Sequence, residues 1–497
     1  MRLARLLTEA DPSPVSRLVG QDREITGLTA DSRRVTPGTL FAALSGTRDD
    51  GVRHVDQALA AGAVAILHDG GASLGENIPQ WIHPEPRLAL ALAAAAWHGH
   101  PARRMRMAAV TGSNGKTTVA AMVEAILRQA GIPAGVIGTT GIRYPGTEIV
   151  TGMTTPDPIT LHHALSAMLT GGCRAVVAEV SSHALSQRRC AGIRWDAAAF
   201  TNLSRDHLDY HGSMEAYWQA KLRLFCDQPH PGTAIVNLDD PRGRELADAC
   251  PGLGVPLLGF ALEDRTGAAF VALDLDMAWQ RNRFRMTTPG RTLEIALGTG
   301  GRFNIANALT AAAIGWSLGV GEEGIEEGLR AFRPVKGRLE TINAGQPFTV
   351  IVDFAHTPDA LERLLVTAGE ITPHGRRLLL FGCGGERDAG KREMMGRIAG
   401  KNANLTILTD DNPRSEDPEG IRQAVLTGLR GTAGACVQIP SRDEAIAHAL
   451  AQAMPGDVVL IAGKGHETEQ ITANGSHPFD DAQTARRHLA RMGFQED

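Results

Sequence analysis

The chain has no cysteine pair at C-x-x-C spacing: Cys173, Cys190, Cys226, Cys250, Cys383 and Cys436 are scattered through 497 residues. Without paired or metal-ligand spacing they read as reduced thiols of a cytosolic protein, which excludes a disulfide framework or a zinc ribbon. Long apolar runs are missing as well. The N-terminus "MRLARLLTEADPSP" has no sustained apolar core, and the longest run, Leu88 to Trp97, is half of the ~20 residues a membrane helix needs. No export, no membrane span and a cytoplasmic location are therefore expected. Nor is there an excess of one charge, since 50 Lys+Arg stand against 55 Asp+Glu for a formal net charge of -5. That balance gives no broad basic surface for nucleic acid or acidic membrane, so electrostatics must be argued locally. No fixed-period repeat and no low-complexity tract are present.

What is present is length and alternation. At 497 residues the chain predicts about three domains, each with its own core. Leu88 to Trp97 favours a helix, and "HGHPARRMR" then leads into the strand "MAAV", which sets a first boundary. Arg103, Arg104 and Arg106 there read as a solvated linker rather than an anion patch. Pro334 and Gly337 in "FRPVKGRLE" interrupt a helical stretch and set a second boundary. Beyond it, "FTVIVDF", "RLLLFG", "LTILTD" and "DVVLIAG" are strands separated by helical patterns such as "EGIRQAVLTGL", which means βαβ units on a parallel sheet. The expected architecture is three α/β domains: residues 1–98, a small N-terminal domain; 99–337, a P-loop ATPase domain with a mostly parallel sheet; and 338–497, a Rossmann-like domain.

The segment "VTGSNGKTTVAAM", residues 110 to 122, places only Ser113 and Asn114 between Gly112 and Gly115, a shorter interval than in G-x-x-x-x-G-K. A buried-strand pattern precedes it, and Val119, Met122, Val123, Ile126, Leu127 and Ala130 follow it at helical spacing. The loop thus opens a helix, whose free N–H groups and dipole bind phosphate. Lys116 reaches the β- and γ-phosphates in this reading, and the Thr117 hydroxyl ligates Mg²⁺. A guanine-reading Asn-Lys-x-Asp is absent, which argues against a GTPase. Instead Glu179 ends the strand pattern of "AVVAEVSSHAL", where a metal ligand belongs, although alone it reads equally as a surface acid. Asp206, His207, Asp209, His211 and Lys221 follow within sixteen residues. In the third domain the strand ends carry Asp353 and His356, then Arg387, then Asp411 to Arg414, then Lys464 to Glu467, all converging on one crevice of an open parallel sheet. "GCGGERD" lacks the spacing of a dinucleotide fingerprint.

Together "TGSNGKTT", "EVSSHAL", "TNLSRDHLDYHG", "GRLE", "DFAHTPDAL", "FGCGGERDAGKR", "DDNPR" and "GKGHE" resemble the Mur ligases, ATP-dependent amide-forming enzymes of peptidoglycan precursor synthesis. The resemblance runs through the whole chain in order, and within the family it points to the form adding the third stem-peptide residue. It implies ATP and Mg²⁺ as cofactors and an acyl phosphate on the D-glutamate side chain of a UDP-N-acetylmuramoyl dipeptide. The incoming amine is that of meso-2,6-diaminopimelate, since "DDNPR" resembles that form rather than the L-lysine form. A monomer without nucleic-acid partners is expected.

The site residues implied by the resemblance fall in four groups. Gly112, Ser113, Asn114, Gly115, Lys116, Thr117, Thr118, Asn304, Arg338, Asp353 and His356 hold ATP. Thr117, Glu179 and Lys221 serve the metal, Lys221 as a carbamate, with Lys116, His207 and Lys221 in catalysis. From its own surroundings Lys221 reads as a snorkelling surface lysine. Ala30, Ser32, Thr47, Arg48, Asp49, Met153, Thr154, Thr155, Ser182, Gln187 and Arg189 bind the UDP substrate. Met153 stands where some relatives carry Asn, so only the two threonines offer hydroxyls there. Arg387, Asp411, Asn412, Arg414, Gly463 and Glu467 take diaminopimelate. A distal carboxylate calls for a guanidinium, and Arg414 is the candidate, against its reading as a turn arginine after Pro413. Two other readings stand beside this one: a folylpolyglutamate-type ligase, and a nucleotide-binding regulator without catalysis.

Overall fold

The computed structural model describes residues 1–11, 13–46, 49–71, 74–75, 77–263 and 265–495. Three sheets organise it, one for each of three α/β domains. The first has the strand order Arg17–Val19, Gln80–Ile82, Ala65–His68, Thr39–Ala42, Gly27–Thr29, parallel except at the Arg17–Val19 edge. Helices Leu3–Ala10 and Pro86–Trp97 pack on it through Leu3, Leu6, Ala89, Leu90 and Ala93 against Trp81.

The central sheet has eleven strands. Its interior runs Leu257–Ala261, Ala234–Asn237, Ala197–Phe200, Arg106–Thr111, Ala175–Glu179, Ala134–Gly138, all parallel. Parallel strands covered on both faces need continuous apolar sequence, and Arg106–Thr111 is buried at every position after Arg106. Successive side chains point to opposite faces. Ala108 and Val110 therefore meet helices Lys116–Gln129 and Arg302–Ser317, whereas Met107 and Ala109 meet Pro158–Thr170 and Met214–Cys226. Arg106 starts this strand and donates to the Leu318 carbonyl, so it is not part of a solvated linker. Antiparallel hairpins extend both ends of the sheet: Gly141–Tyr144 and Thr147–Ile149 at one, and at the other Arg281–Thr287 and Thr292–Leu297 beyond Ala268–Ala278, which itself joins parallel to Leu257–Ala261.

The third sheet runs Glu340–Ile342, Thr349–Asp353, Val458–Ala462, Arg377–Phe381, Leu405–Leu408, Ala435–Gln438, parallel from Thr349–Asp353 onward. The four strands expected here are all present. Two edge strands and the hairpin Glu469–Thr472/Gly475–Pro478 come in addition. Recurrent caps start the helices that cover these sheets. Asp157, Asp240, Thr357 and Asp417 each accept a backbone N–H in the first turn, and each is followed by a proline whose missing N–H costs nothing there. Among the described residues no helix is long and apolar enough to cross a membrane.

Candidate active site

The phosphate loop is held open from behind. Gly112 has φ +147° and Gly115 φ +90°, and a Cβ would lie 1.9 Å from Thr201 Oγ1 at the first and 2.4 Å from Asn307 Oδ1 at the second. Only glycine fits both demands. Gly115 caps helix Lys116–Gln129, so its first N–H groups face the cleft. The loop is pinned by Asn202, which takes the Asn114 N–H at 3.0 Å, and by Thr201, which donates to the Asn114 carbonyl at 2.6 Å. Lys116 Nζ folds back onto the Gly112 and Ser113 carbonyls, both at 2.9 Å. Burial pushes its pKa down, opposed by Glu179 and Asp206.

Glu179 ends its strand 1% exposed, accepting from Thr117 Oγ1 at 2.9 Å, the Thr139 N–H at 2.9 Å and Thr139 Oγ1 at 3.0 Å. Among the described residues no group of three or more His, Cys, Asp or Glu is arranged to hold a metal ion. Magnesium fits the donors that exist, because it takes one or two hard protein oxygens and completes its shell with water and substrate phosphate. The Thr117 hydroxyl and the Glu179 carboxylate are such a pair. Lys221 lies behind the loop, not on the cleft wall: it is 1% exposed, donates to the Gly112 carbonyl at 2.8 Å and sits 4.4 Å from the Tyr217 ring centroid. Burial, with Lys116 adding to it, pushes its pKa well below the ordinary lysine value. The snorkelling reading therefore does not hold. His207 packs against His183 with centroids 4.7 Å apart, and desolvation holds it below the usual imidazole range despite neighbouring Asp206.

A cleft of about 620 Å³ joins the loop to the third domain. Its walls carry Ser113 to Thr118, Met153, Thr154, Thr155, Glu179, Arg189, His207, Asn304, Arg338, Asp353 and His356, and from the third domain also Arg387, Asp411, Asn412, Arg414, Gly463 and Glu467. Burial raises the Asp353 pKa, opposed by Arg338 and by the Leu339 N–H that donates to it at 2.7 Å. Arg387 is exposed and hydrogen-bonds to nothing among the described residues. Arg414 Nη1 donates only to the carbonyls of Gly385 at 2.7 Å and Asn412 at 3.3 Å. Two guanidinium groups without a carboxylate partner thus line the same cleft as the phosphate loop.

A second cleft of about 500 Å³ opens between the first and central domains, lined by Thr29, Ala30, Arg34, Met153, Gln187 and Arg189 among others. Met153 and Arg189 line both clefts, so a long substrate can pass from one to the other. Arg189 is fixed by the Thr155 carbonyl at 2.6 Å and by Gln187 Oε1 at 2.9 Å. Thr154 shares a hydrogen bond with Thr139 at 3.1 Å, while the Thr155 hydroxyl is turned onto the Glu179 carbonyl at 2.8 Å. Ser182 is buried against His211 at 3.0 Å. Of the other expected residues, Thr154 and Thr155 line the main cleft instead and Ser182 lines neither, while Ser32 bonds Gln57 at 3.0 Å and Asp49 pairs with His54 at 2.6 Å away from both. Thr47 and Arg48 lie outside the described residues.

Lys391 and Asn307 line the main cleft and were not singled out by the sequence. Lys391 is 7% exposed, its ammonium makes no hydrogen bond among the described residues, and it starts helix Lys391–Asn402. It lies within "FGCGGERDAGKR" between Gly390 and Arg392, where no spacing sets it apart from the other charged residues. Asn307 follows Asn304 by one helical turn and donates to its Oδ1 at 3.0 Å, a spacing visible only once the helix is known.

Comparison with known proteins gives three family models along the chain: "Mur ligase family, catalytic domain" at residues 24–109, "Mur ligase middle domain" at 110–315, and "Mur ligase, glutamate ligase domain" at 337–465. The chain is similar to the UDP-N-acetylmuramoyl-L-alanyl-D-glutamate--2,6-diaminopimelate ligase of Geobacillus thermodenitrificans, 40% identical over 98% of this chain and 99% of that protein. The protein of the same name from Xylella fastidiosa strain Temecula1 is 41% identical over 100% and 99%. A solved structure of a UDP-N-acetylmuramoyl-L-alanyl-D-glutamate--2,6-diaminopimelate ligase superposes with TM-score 0.70 at 31% identity, covering 98% of this chain and 99% of that one. A Mycobacterium tuberculosis folylpolyglutamate synthase shares the fold, with TM-score 0.62 at 18% identity.

Proposed function

The chain belongs to the Mur ligase family, and from that premise we propose that it joins meso-2,6-diaminopimelate to UDP-N-acetylmuramoyl-L-alanyl-D-glutamate, with cleavage of ATP, in peptidoglycan precursor synthesis. A carboxylate is a poor electrophile because oxide does not leave. Passing the γ-phosphoryl group of ATP to the D-glutamate side-chain carboxylate makes an acyl phosphate and ADP. An amine of diaminopimelate then attacks the carbonyl carbon, and phosphate departs with the electron pair of the broken C–O bond as the ammonium loses its proton. The demand on the protein is positioning plus cationic stabilisation of clustered negative charge.

In this reading the N–H groups of the 112–118 loop and Lys116 hold the ATP phosphates, while Asn304, Arg338, Asp353 and His356 line the remainder of the nucleotide site. Magnesium, when bound at Thr117 and Glu179, supplies charge neutralisation between phosphate oxygens. Lys221 as a carbamate extends a carboxylate toward the same place, and His207 lies beside it. The UDP substrate occupies the 500 Å³ cleft and turns past Met153 and Arg189 to present its glutamate carboxylate to the loop. Lys391, which lines the cleft and whose charge acts on Asp206 and His356, is a further cation for the clustered negative charge.

The observation that carries the reading is the pair of guanidinium groups, Arg387 and Arg414, that lack a carboxylate partner and share one cleft with the phosphate loop. Diaminopimelate differs from L-lysine by a distal carboxylate, and stranding a guanidinium that would otherwise pair discriminates by roughly 10⁴-fold where the site is built for the bond. Phosphate release from ATP with the UDP-muramoyl dipeptide is measured with meso-diaminopimelate, with L-lysine and with no amino acid, then again in Arg414→Ala. Turnover with diaminopimelate alone, lost in the variant, is expected. Turnover with lysine would remove the diaminopimelate assignment, and turnover only with folate and glutamate would replace the substrate altogether.

A further inference from the structure

Lys464 lies two residues beyond the strand Val458–Ala462 and is 0% exposed. Its Nζ donates to Asn412 Oδ1 at 3.0 Å, to Glu467 Oε2 at 3.1 Å and to the Glu469 carbonyl at 2.6 Å. An ammonium has three N–H bonds, and all three are used. Lys464 therefore has nothing left to offer a ligand. Whatever it does for the reaction passes through Asn412 and Glu467, both of which line the cleft.

The effect on Asn412 is specific. Its Oδ1 also accepts the Ile471 N–H at 3.0 Å, and its Nδ2 donates to Glu467 Oε2 at 2.8 Å. Two donors converging on one end of an amide make that end the oxygen, so the NH₂ group has to face Glu467 and the cleft. One Nδ2–H remains unused. Glu467 Oε2 is occupied by Lys464 and Asn412, whereas Oε1 carries no hydrogen bond among the described residues. The pair thus presents one free N–H beside one free carboxylate oxygen.

We propose that Lys464 is a positioning residue that polarises Asn412 and Glu467 into a receptor for the distal amino-acid end of diaminopimelate, with the Asn412 N–H on the carboxylate and Glu467 Oε1 on the ammonium. This deepens the diaminopimelate reading and rests on it. Without Lys464 the amide loses one of the two donors that orient it. The Glu467 side chain, 36% exposed, is then free to swing into solvent.

The test is a cycle of variant against substrate. Phosphate release is followed for the wild-type chain and for Lys464→Met, with meso-diaminopimelate and with 2-aminopimelate, which keeps one amino group for attack and the distal carboxylate but lacks the distal amine. Lys464→Met is expected to lower kcat/KM for diaminopimelate about 10- to 100-fold, through KM, and for 2-aminopimelate only a few-fold, with KM for ATP unchanged. Lys464→Gln, which keeps a donor to Asn412 without the charge, is expected to give the same ordering and guards against a Met variant that fails to fold. Equal losses on both amino acids would reduce Lys464 to a structural role and overturn the proposal. No loss at all, or a wild-type enzyme indifferent to the missing amine, would overturn it too. If the wild-type chain turned over with neither amino acid, the diaminopimelate reading would fall and the Lys464 proposal with it, an outcome visible before any variant is made.

Discussion

At the scale of single residues, Lys221 shows how surroundings change the chemistry of a side chain. An exposed lysine at neutral pH is almost wholly protonated and does not react with CO₂. Here burial and the neighbouring Lys116 push the pKa well down, so a larger share of the amine is neutral and nucleophilic. Addition of that amine to CO₂ forms an N–C bond, releases one proton and leaves one N–H, which can keep the bond now made to the Gly112 carbonyl. The product is an anion behind the loop proposed to hold Mg²⁺ and phosphate, where an ammonium would repel a metal. Enzyme exchanged into CO₂-free buffer is expected to lose turnover and regain it with bicarbonate, and ¹³C-bicarbonate should give a carbamate resonance that disappears in Lys221→Arg. Turnover indifferent to CO₂, or retained in Lys221→Ala, would leave the lysine a packing residue.

At the scale of elements, helix Pro158–Thr170 packs on Pro86–Trp97 across the junction of the first two domains, and it buries His162 to 1% exposure. Both ring nitrogens lack a hydrogen-bond partner among the described residues, and desolvation, with His98 and His100 adding to it, pushes the pKa from 6.5 to about 3. The unfolded chain therefore binds a proton that the folded chain refuses. Stability from this group is intact above pH 6.5 and falls as pH drops toward 3. By pH 5 the loss is about 2 kcal/mol. His162→Leu is expected to flatten the acid limb of a plot of denaturation midpoint against pH; an unchanged limb would mean that other groups govern it. Elements of this kind divide sharply in how well the sequence announces them. The parallel strands were legible because burial on both faces demands unbroken apolar runs such as "DVVLIAG". Arg281–Thr287, "RNRFRMT", was not, because an antiparallel strand with one wet face alternates charge with Phe284 and Met286. The edge strand Ala435–Gln438 is mostly exposed and leaves almost no pattern. The cleft lining divides in the same way: Lys391 sits inside a quoted motif without being singled out and Asn307 outside every motif, and both reach the cleft through the space they share with distant segments.

At the scale of the whole molecule, the reaction needs the phosphate loop and the amino-acid pocket in register, yet they stand on different sheets. Several contacts join the two domains, Trp279 Nε1 to Thr372 Oγ1 at 2.9 Å and Arg302 to Glu370 at 3.8 Å among them, and two others involve the loop and the segment beside Asp206. Asn114, in the phosphate loop, donates to Asp359 of helix Pro358–Ile371 at 2.9 Å. Arg205 makes a paired contact with Asp388, each bond 3.2 Å, and the Gly390 backbone packs so closely on this guanidinium that a Cβ there would lie 2.5 Å from Nη2. The position of the pair in the sequence gives it meaning. Arg205 directly precedes Asp206 and His207, and Asp388 directly follows Arg387 and precedes Lys391, so the pair joins two stretches that both line the cleft. The pair is half-open, with Arg205 36% exposed and Asp388 9%, so its contribution to global stability is modest and more of its weight falls on alignment of the two half-sites. Arg205→Ala and Asp388→Ala are each expected to lower kcat/KM for diaminopimelate roughly 10-fold while leaving the melting temperature nearly unchanged, and the double variant should be no worse than either single one. The exchanged pair, Arg205→Asp with Asp388→Arg, should recover part of the loss, because it restores attraction across the same gap. Additive losses with no recovery would mean that the domains find their register through other contacts, and that each residue acts within its own domain.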